Sequence, residues 1–348
     1  MTPGDHDRSP DFKSRMSAAQ VFASLDKERG SDPWLQVENA AERGRGKERV
    51  ERRGPRLIGI VSAVPDLPQA MHPFFGPVLS GIKARIVQAR CDLFVPTYNP
   101  PTPMGTDARA IERCYAYGTS GLIVMGVDAA DPDFAPFLES GRPIVLVDNQ
   151  AIGGRVGYVM SDNVQGTASA VSHLYKLGRR RIATITGQMQ TRPAIDRLFG
   201  YRSEISRLGL EERPEYVCEG DFYHGSGYER AKELLALSEP PDAIVAASDM
   251  TAVGAILAIQ EAGLRVPEDI AVVGYDDSTF AAAMWPALTT VRQDALGLGM
   301  AAADSVLAML DNPDDPPPAV IFPTQLVIRE SCGIELLRRS SAAGRKAS

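Results

Sequence analysis

Polar side chains recur in this sequence where an apolar run stops. Asp148 closes Ile144-Val145-Leu146-Val147, Ser248 and Asp249 close Ile244-Val245-Ala246-Ala247, and Asp276 and Asp277 close Val272-Val273-Gly274-Tyr275. A carboxylate at the end of a buried strand must meet a ligand or cap the following turn, because an unpaired charge is costly in an apolar interior. For Asp249 the first expectation is the N-cap of the next helix and the second is ligand contact. At Asp276-Asp277 one carboxylate suffices for a cap, which leaves Asp276 for a ligand. Arg197, in a helical stretch at 194–208, brings forked donors near the strand end at 186, and Gln293 lies in a short extended segment at 289–294.

Aromatic rings accompany these groups. His72-Pro73-Phe74-Phe75 opens a helix beyond the first strand, with proline stiffening its entry. One of the two phenylalanines is expected to staple the helix to the sheet and the other to stack on a ligand. Phe222 and Trp285 are further candidates. Carboxylates and a guanidinium suit hydroxyl-rich solutes, and flat rings suit the apolar faces of sugars or bases. This set of groups binds rather than catalyses.

Catalytic and metal patterns are missing. The sequence has no G-x-S-x-G elbow, no H-E-x-x-H and no P-loop lysine, and its four histidines (His6, His72, His173, His224) lack metal spacing. Gly297-Leu298-Gly299 lacks the third glycine of a dinucleotide fingerprint and falls on a helix. Asp276-Asp277 could hold a divalent ion or act as acid and base, yet no nucleophile matches them. No catalytic residue, metal or cofactor is expected.

The elements that must position these residues follow from composition and periodicity. With 348 residues the chain exceeds one compact core and predicts about two domains. A net charge of -7 argues against a surface coated for nucleic acid, so any phosphate contact must be local. Four scattered cysteines without a C-x-x-C pair fit buried thiols in a reducing compartment, and neither a signal peptide nor a membrane span is visible, so a cytoplasmic protein is expected.

From residue 57 onward, apolar runs at 57–61, 92–96, 121–125, 144–148, 181–186, 216–219, 243–247 and 271–275 alternate with amphipathic stretches. This is the pattern of βα units and parallel sheets. Val78, Ile82 and Ile86, and likewise Val164, Ala168, Val171 and Leu174, give helices an apolar stripe. The break at 148–161, the late segments 289–294 and 295–310 and a final strand pair at 319–328 imply an α/β fold of two doubly wound lobes with a cleft between them. The expected division is 57–160 with 293–318 for one lobe and 161–292 with 319–332 for the other. Residues 1–56 are expected as a flexible basic segment and 333–348 as a disordered tail.

The same residues resemble the LacI/GalR family of bacterial transcription regulators, whose core is similar to sugar-binding periplasmic proteins. The resemblance runs from about Arg56 to Ser331. It is carried by Arg56-Leu57-Ile58-Gly59-Ile60-Val61, His72-Pro73-Phe74-Phe75, Pro143 to Asp148, Ser161-Asp162-Asn163, Arg197-Leu198-Phe199-Gly200-Tyr201, Ser248-Asp249-Met250-Thr251-Ala252, Val273-Gly274-Tyr275-Asp276-Asp277 and Leu288-Thr289-Thr290-Val291-Arg292-Gln293, in this order and spacing. It implies an effector touching Phe74 or Phe75, Asp148, Arg197, Phe222, Ser248 or Asp249, Asp276 and Gln293. It also implies a homodimer and lobe closure that changes the spacing of two DNA-binding heads on an operator.

Here the sequence departs from the family. Neither the D-V-A-x-x-A-G-V-S-x-x-T-V-S pattern of the helix-turn-helix nor a hinge helix is present in residues 1–56. Arg43, Arg45, Lys47, Arg49, Arg52 and Arg53 could touch DNA phosphates, or form a solvated charge run. The leading expectation is therefore an effector-responsive operator-binding regulator. The alternative is a cytosolic small-molecule sensor without DNA binding, and a sugar-transforming enzyme ranks third.

Overall fold

Two parallel sheets with one wiring order build the core. The computed structural model describes residues 56–62, 72–96, 108–126, 134–150 and 153–334. The basic positions Arg43, Arg45, Lys47, Arg49, Arg52 and Arg53, and most of the tail beyond 332, lie outside them.

The first sheet holds β1 (Leu57–Ser62), β2 (Asp92–Phe94), β3 (Gly121–Met125), β4 (Ile144–Val147), β5 (Val156–Ser161) and a later strand, β11 (Ala319–Phe322), in the order β11-β5-β4-β3-β1-β2. Every neighbouring pair is parallel. Its helices are α1 (Phe75–Gln88), α2 (Ala108–Ala116) and the single turn α3 (Ala135–Leu138). β3 and β4 are buried at every residue, as parallel strands covered on both faces must be.

The second lobe repeats the plan with α4 (Asn163–Lys176), β6 (Ile182–Ile185), α5 (Arg192–Arg207), β7 (Val217–Cys218), α6 (His224–Leu235), β8 (Ala243–Ala246), α7 (Asp249–Glu261), β9 (Ala271–Asp276) and β10 (Thr289–Arg292). With β12 (Gln325–Val327) its order is β12-β10-β9-β8-β6-β7, and only the β10/β12 pair is antiparallel. The remaining helix, α8 (Ala295–Asp311), belongs to the first lobe, where Gly81 and Gly299 let α1 and α8 meet backbone to backbone. A Cβ at Gly299 would sit 2.0 Å from the Val78 carbonyl oxygen, so glycine is required there.

Each apolar stripe has its core. Val78, Ile82 and Ile86 are buried against β1, β3 and α8 residues. On α4 the buried side is instead Gly166, Thr167, Ala170, Val171 and Leu174, and the expected Val164 and Ala168 are only half-buried, because α5 packs across the helix at Gly200.

The segment 319–328 departs from expectation most. It was expected as one strand pair in the second lobe, but β11 pairs with β5 in the first sheet and β12 with β10 in the second. The chain thus passes between lobes three times, at Asp162, at 293–294 and at 323–324. Each of the first two crossings enters a helix behind an aspartate N-cap: Asp162 accepts from the Gln165 N–H and Asp294 from the Gly297 N–H, both at 2.9 Å. Pairing partners decide a strand's sheet, and a four-residue apolar run carries no sign of them.

Candidate functional site

The cleft between the lobes lies at the carboxyl ends of both sheets, on the side where strand order reverses (β2-β1-β3 and β7-β6-β8), and leaves a cavity of roughly 90 Å³ that opens to solvent. Its walls include His72, Phe74, Phe75, Asp148 and Asn149 from the first lobe, and Gln188, Thr191, Arg192, Arg197, Asp221, Phe222, Tyr223, Ser248, Met250 and Asp276 from the second.

The first wall starts at the entry to α1. His72 Nδ1 accepts hydrogen bonds from the Phe74 and Phe75 backbone N–H groups, both at 3.2 Å. Burial lowers the imidazole to about 4, so the ring is neutral at pH 7, and the accepting Nδ1 assigns the proton to Nε2. Phe74 is buried in the core cluster and Phe75 is half-buried, with ring centroids 5.0 Å apart and edge-on. The staple and the cleft-facing ring fall to Phe74 and Phe75 respectively. The His72 ring meets Tyr223 of the other lobe at 6.1 Å, edge to face.

Asp148 follows β4 with φ of +58°, in the left-handed region that non-glycine residues seldom occupy. Burial raises its pKa, against the opposing pull of Arg197 and Asn163. Its Oδ1 is buried and has no hydrogen-bond partner among the described residues.

The second wall is braced. Arg197 is buried on α5, its Nε donating to Asn163 Oδ1 at 2.8 Å and one terminal nitrogen donating to the Ala247 carbonyl. Its guanidinium lies 3.8 Å from the Tyr275 ring centroid and 5.7 Å from that of Phe222. Phe222 has φ of +74° and packs on Gly187, where a Cβ would come within 1.9 Å of the ring. Ser248 caps α7, accepting from the Thr251 N–H at 3.0 Å and donating to the Phe222 carbonyl at 2.6 Å. Asp276, with φ of +115°, accepts from Gln293 Nε2 at 2.7 Å. Burial raises its carboxyl to about 8, with Arg197 opposing. Three wall residues thus hold left-handed backbone, each at a cost of about 1–3 kcal/mol that the surrounding fold must offset.

Of the expected site residues, Phe74, Phe75, Asp148, Arg197, Phe222, Ser248 and Asp276 meet in this cleft. Asp249 does not: it is fully buried behind the wall and accepts from the Ser278 N–H at 2.6 Å and the Thr290 hydroxyl at 2.5 Å. Ser248, one residue earlier, takes the cap expected of Asp249, because the helix begins at Asp249 itself. Gln293 does not line the cleft either and braces Asp276 from the lobe crossing. Trp285 is 83% exposed and lies away from the cleft. Asp277 caps no helix, since its carboxylate is held by Arg292 and Arg329, each at 2.6 Å. Sequence reasoning missed Asn149, Gln188, Thr191, Arg192, Asp221, Tyr223 and Met250 as wall residues. Asn149, Asp221, Tyr223 and Met250 are next to residues singled out, whereas Gln188 and Thr191 lie in a loop with no periodic signal. Among the described residues no group of three or more His, Cys, Asp or Glu could hold a metal, and no helix is long and apolar enough to cross a membrane.

Comparison with known proteins places this architecture. A family profile for a periplasmic binding protein-like domain matches residues 171–332. A solved LacI transcriptional regulator from a Rhodococcus species superposes with a TM-score of 0.68 at 30% identity, covering 79% of this chain and 98% of that one. The chain belongs to the LacI family. Another LacI-like neighbour, the transcriptional regulator CelR in complex with cellobiose, superposes with a TM-score of 0.72 at 28% identity over 91% of this chain and 92% of that one. The HTH-type transcriptional regulator CelR of Thermobifida fusca is 37% identical over 218 residues, which is 61% of this chain and 63% of that protein. The LacI-family fold, two mostly parallel lobes about a cleft, is the one expected from sequence.

Proposed function

We propose that this protein is a LacI-type transcriptional regulator whose core binds a small effector, sugar-like or nucleoside-like, between the lobes and couples lobe closure to operator DNA binding. The observation that carries the reading is the Asp148 Oδ1 atom: a buried, unpartnered acceptor facing a cleft whose opposite wall holds Arg197 and Asp276. A buried polar atom costs about 1–3 kcal/mol when left unpaired, and a ligand hydroxyl or N–H would relieve that cost. The similarity to CelR, solved in complex with cellobiose, supports a sugar as the class of effector.

Closure acts through the crossings. Gln293 and Asn163 stand at two of the three connections and hold Asp276 and Arg197 respectively, so a ligand that repositions either charge also biases the hinge. Effector binding, a homodimer, a cytoplasmic location and the lack of catalytic residues are parts of this reading. The absence of the helix-turn-helix pattern from residues 1–56 favours a second reading, a sensor without DNA binding.

Two measurements test the proposal. A thermal-shift screen of sugars and nucleosides is expected to find a ligand that adds about 2.7 kcal/mol at a hundred times its Kd. A gel shift and footprint on the promoter beside its own gene is expected to show a protected palindrome whose occupancy changes with that ligand. Absence of protection at moderate salt rejects the regulator in favour of the second reading.

A further inference from the structure

Hydrogen-bonding polarity in the cleft is lopsided. Two wall residues carry buried side-chain atoms without a partner among the described residues, Asp148 Oδ1 and Gln188 Oε1, and both are acceptors. Several donors, by contrast, already serve protein acceptors. Arg197 already serves Asn163 and the Ala247 carbonyl, Arg192 is paired with Asp196 at 2.8 Å, and Ser248 donates to Phe222.

Formal charge leans the same way. Asp148, Asp221 and Asp276 face Arg192 and Arg197, Asp196 already neutralises Arg192, and burial raises the carboxyls of Asp148 and Asp276, so the cleft disfavours even its own negative charge. His72 is neutral.

From these observations, and resting on the effector reading above, we infer that the cleft selects an uncharged, donor-rich solute, a neutral sugar or nucleoside, and rejects its phosphorylated or carboxylate-bearing analogues. A hydroxyl can donate to Asp148 and Gln188 and still accept from Arg197. A phosphate or carboxylate offers only acceptors, so it sets acceptor against acceptor at Asp148 and Gln188 and adds negative charge where burial already pushes the Asp148 and Asp276 carboxyls toward their neutral form. Burial amplifies both penalties, because water is not there to screen them.

The test pairs neutral probes with charged ones on the full chain by calorimetry: glucose with glucose 6-phosphate and glucuronate, ribose with ribose 5-phosphate, cellobiose with cellobionate. Each charged member is expected to bind about a hundredfold or more weakly than its neutral partner. In the Asp148→Asn, Asp276→Asn double variant that ratio is expected to shrink at least tenfold through tighter binding of the charged members, since the amides meet an anion with N–H donors where the acids present acceptors while shape is kept. A charged member that binds as tightly as its neutral partner overturns the inference and leaves the effector reading intact. A ratio unchanged in the double variant also overturns it, since exclusion would then be steric. If no probe of either kind binds, the effector reading falls and this inference falls with it.

Discussion

The two walls of the cleft are built on the same sheet order but prepared to different degrees. In the second lobe the charged and hydroxyl wall groups that face Asp148 have protein partners, Arg197 with Asn163, Ser248 with Thr251 and Phe222, and Asp276 with Gln293, and the Gln188 Oε1 atom is the exception. In the first lobe His72 is spent on capping α1, and Asp148 keeps one oxygen unpaired. One wall is a preorganised receptor and the other completes itself on the ligand. Preorganisation lowers the entropic cost of binding, and buried acceptors left unsatisfied in the cleft make closure favourable only when a ligand is present.

The largest effect should come from dismantling the prepared wall. Arg197→Ala removes two hydrogen bonds and the stacking on Tyr275, and leaves Asp148 and Asp276 without a nearby cation. We expect a loss of about 3 kcal/mol in unliganded stability, typical for a buried charged hydrogen-bond donor, together with loss of the ligand-induced shift. Chemical denaturation with and without ligand reads both. A variant that keeps its ligand response would show that the second wall is not the receptor half.

A pH titration probes the same wall more gently. Burial holds the Asp276 carboxyl at about 8 in the folded protein. A raised folded pKa means stability is fully present below the ordinary carboxylate range near 4 and is lost as pH rises through about 8. Unliganded wild type should therefore lose stability relative to Asp276→Asn between those limits. Ligand hydroxyls that donate to the ionised carboxylate oppose this, so binding should release a proton and tighten with pH up to about 8. Calorimetry in two buffers of different ionisation enthalpy checks the proton. Weaker binding at pH 8 than at pH 5 would mean that the ligand prefers the protonated acid and accepts from it.

How much of this was legible beforehand depended on whether a residue's role was local. The strands of both lobes, Arg197 on its helix and the carboxylates Asp148 and Asp276 followed from apolar runs and what stops them, because burial and periodicity are written into adjacent residues. Asp249 and Gln293 were misplaced by one layer. Both are polar, at strand ends and beside true wall residues, and only the pairing of Asp249 with Thr290 and Ser278, remote in sequence, turns it from the cleft. The same limit explains β11 and β12: two short apolar runs separated by Pro323-Thr324 read as one strand pair in the second lobe, although their partners lie in different sheets. The left-handed backbone at Asp148, Phe222 and Asp276 also left no trace, since none is glycine and the strain is imposed by tertiary packing.

The smallest expected effect also separates the walls most sharply, because its sign differs. Asp148→Asn keeps the size of the side chain and removes a buried charge that lacks full compensation in the unliganded protein. Unlike Arg197→Ala, it should leave unliganded stability unchanged or raise it by about 1 kcal/mol. Effector affinity should nevertheless fall about tenfold, because an amide presents one acceptor where the carboxylate presents two and turns a donor toward the ligand's hydroxyls. A gain in stability with a loss of affinity marks a group kept for the ligand rather than for the fold. Loss of both together would show that Asp148 braces the first wall as Asn163 and Gln293 brace the second, and the contrast between the two walls would disappear.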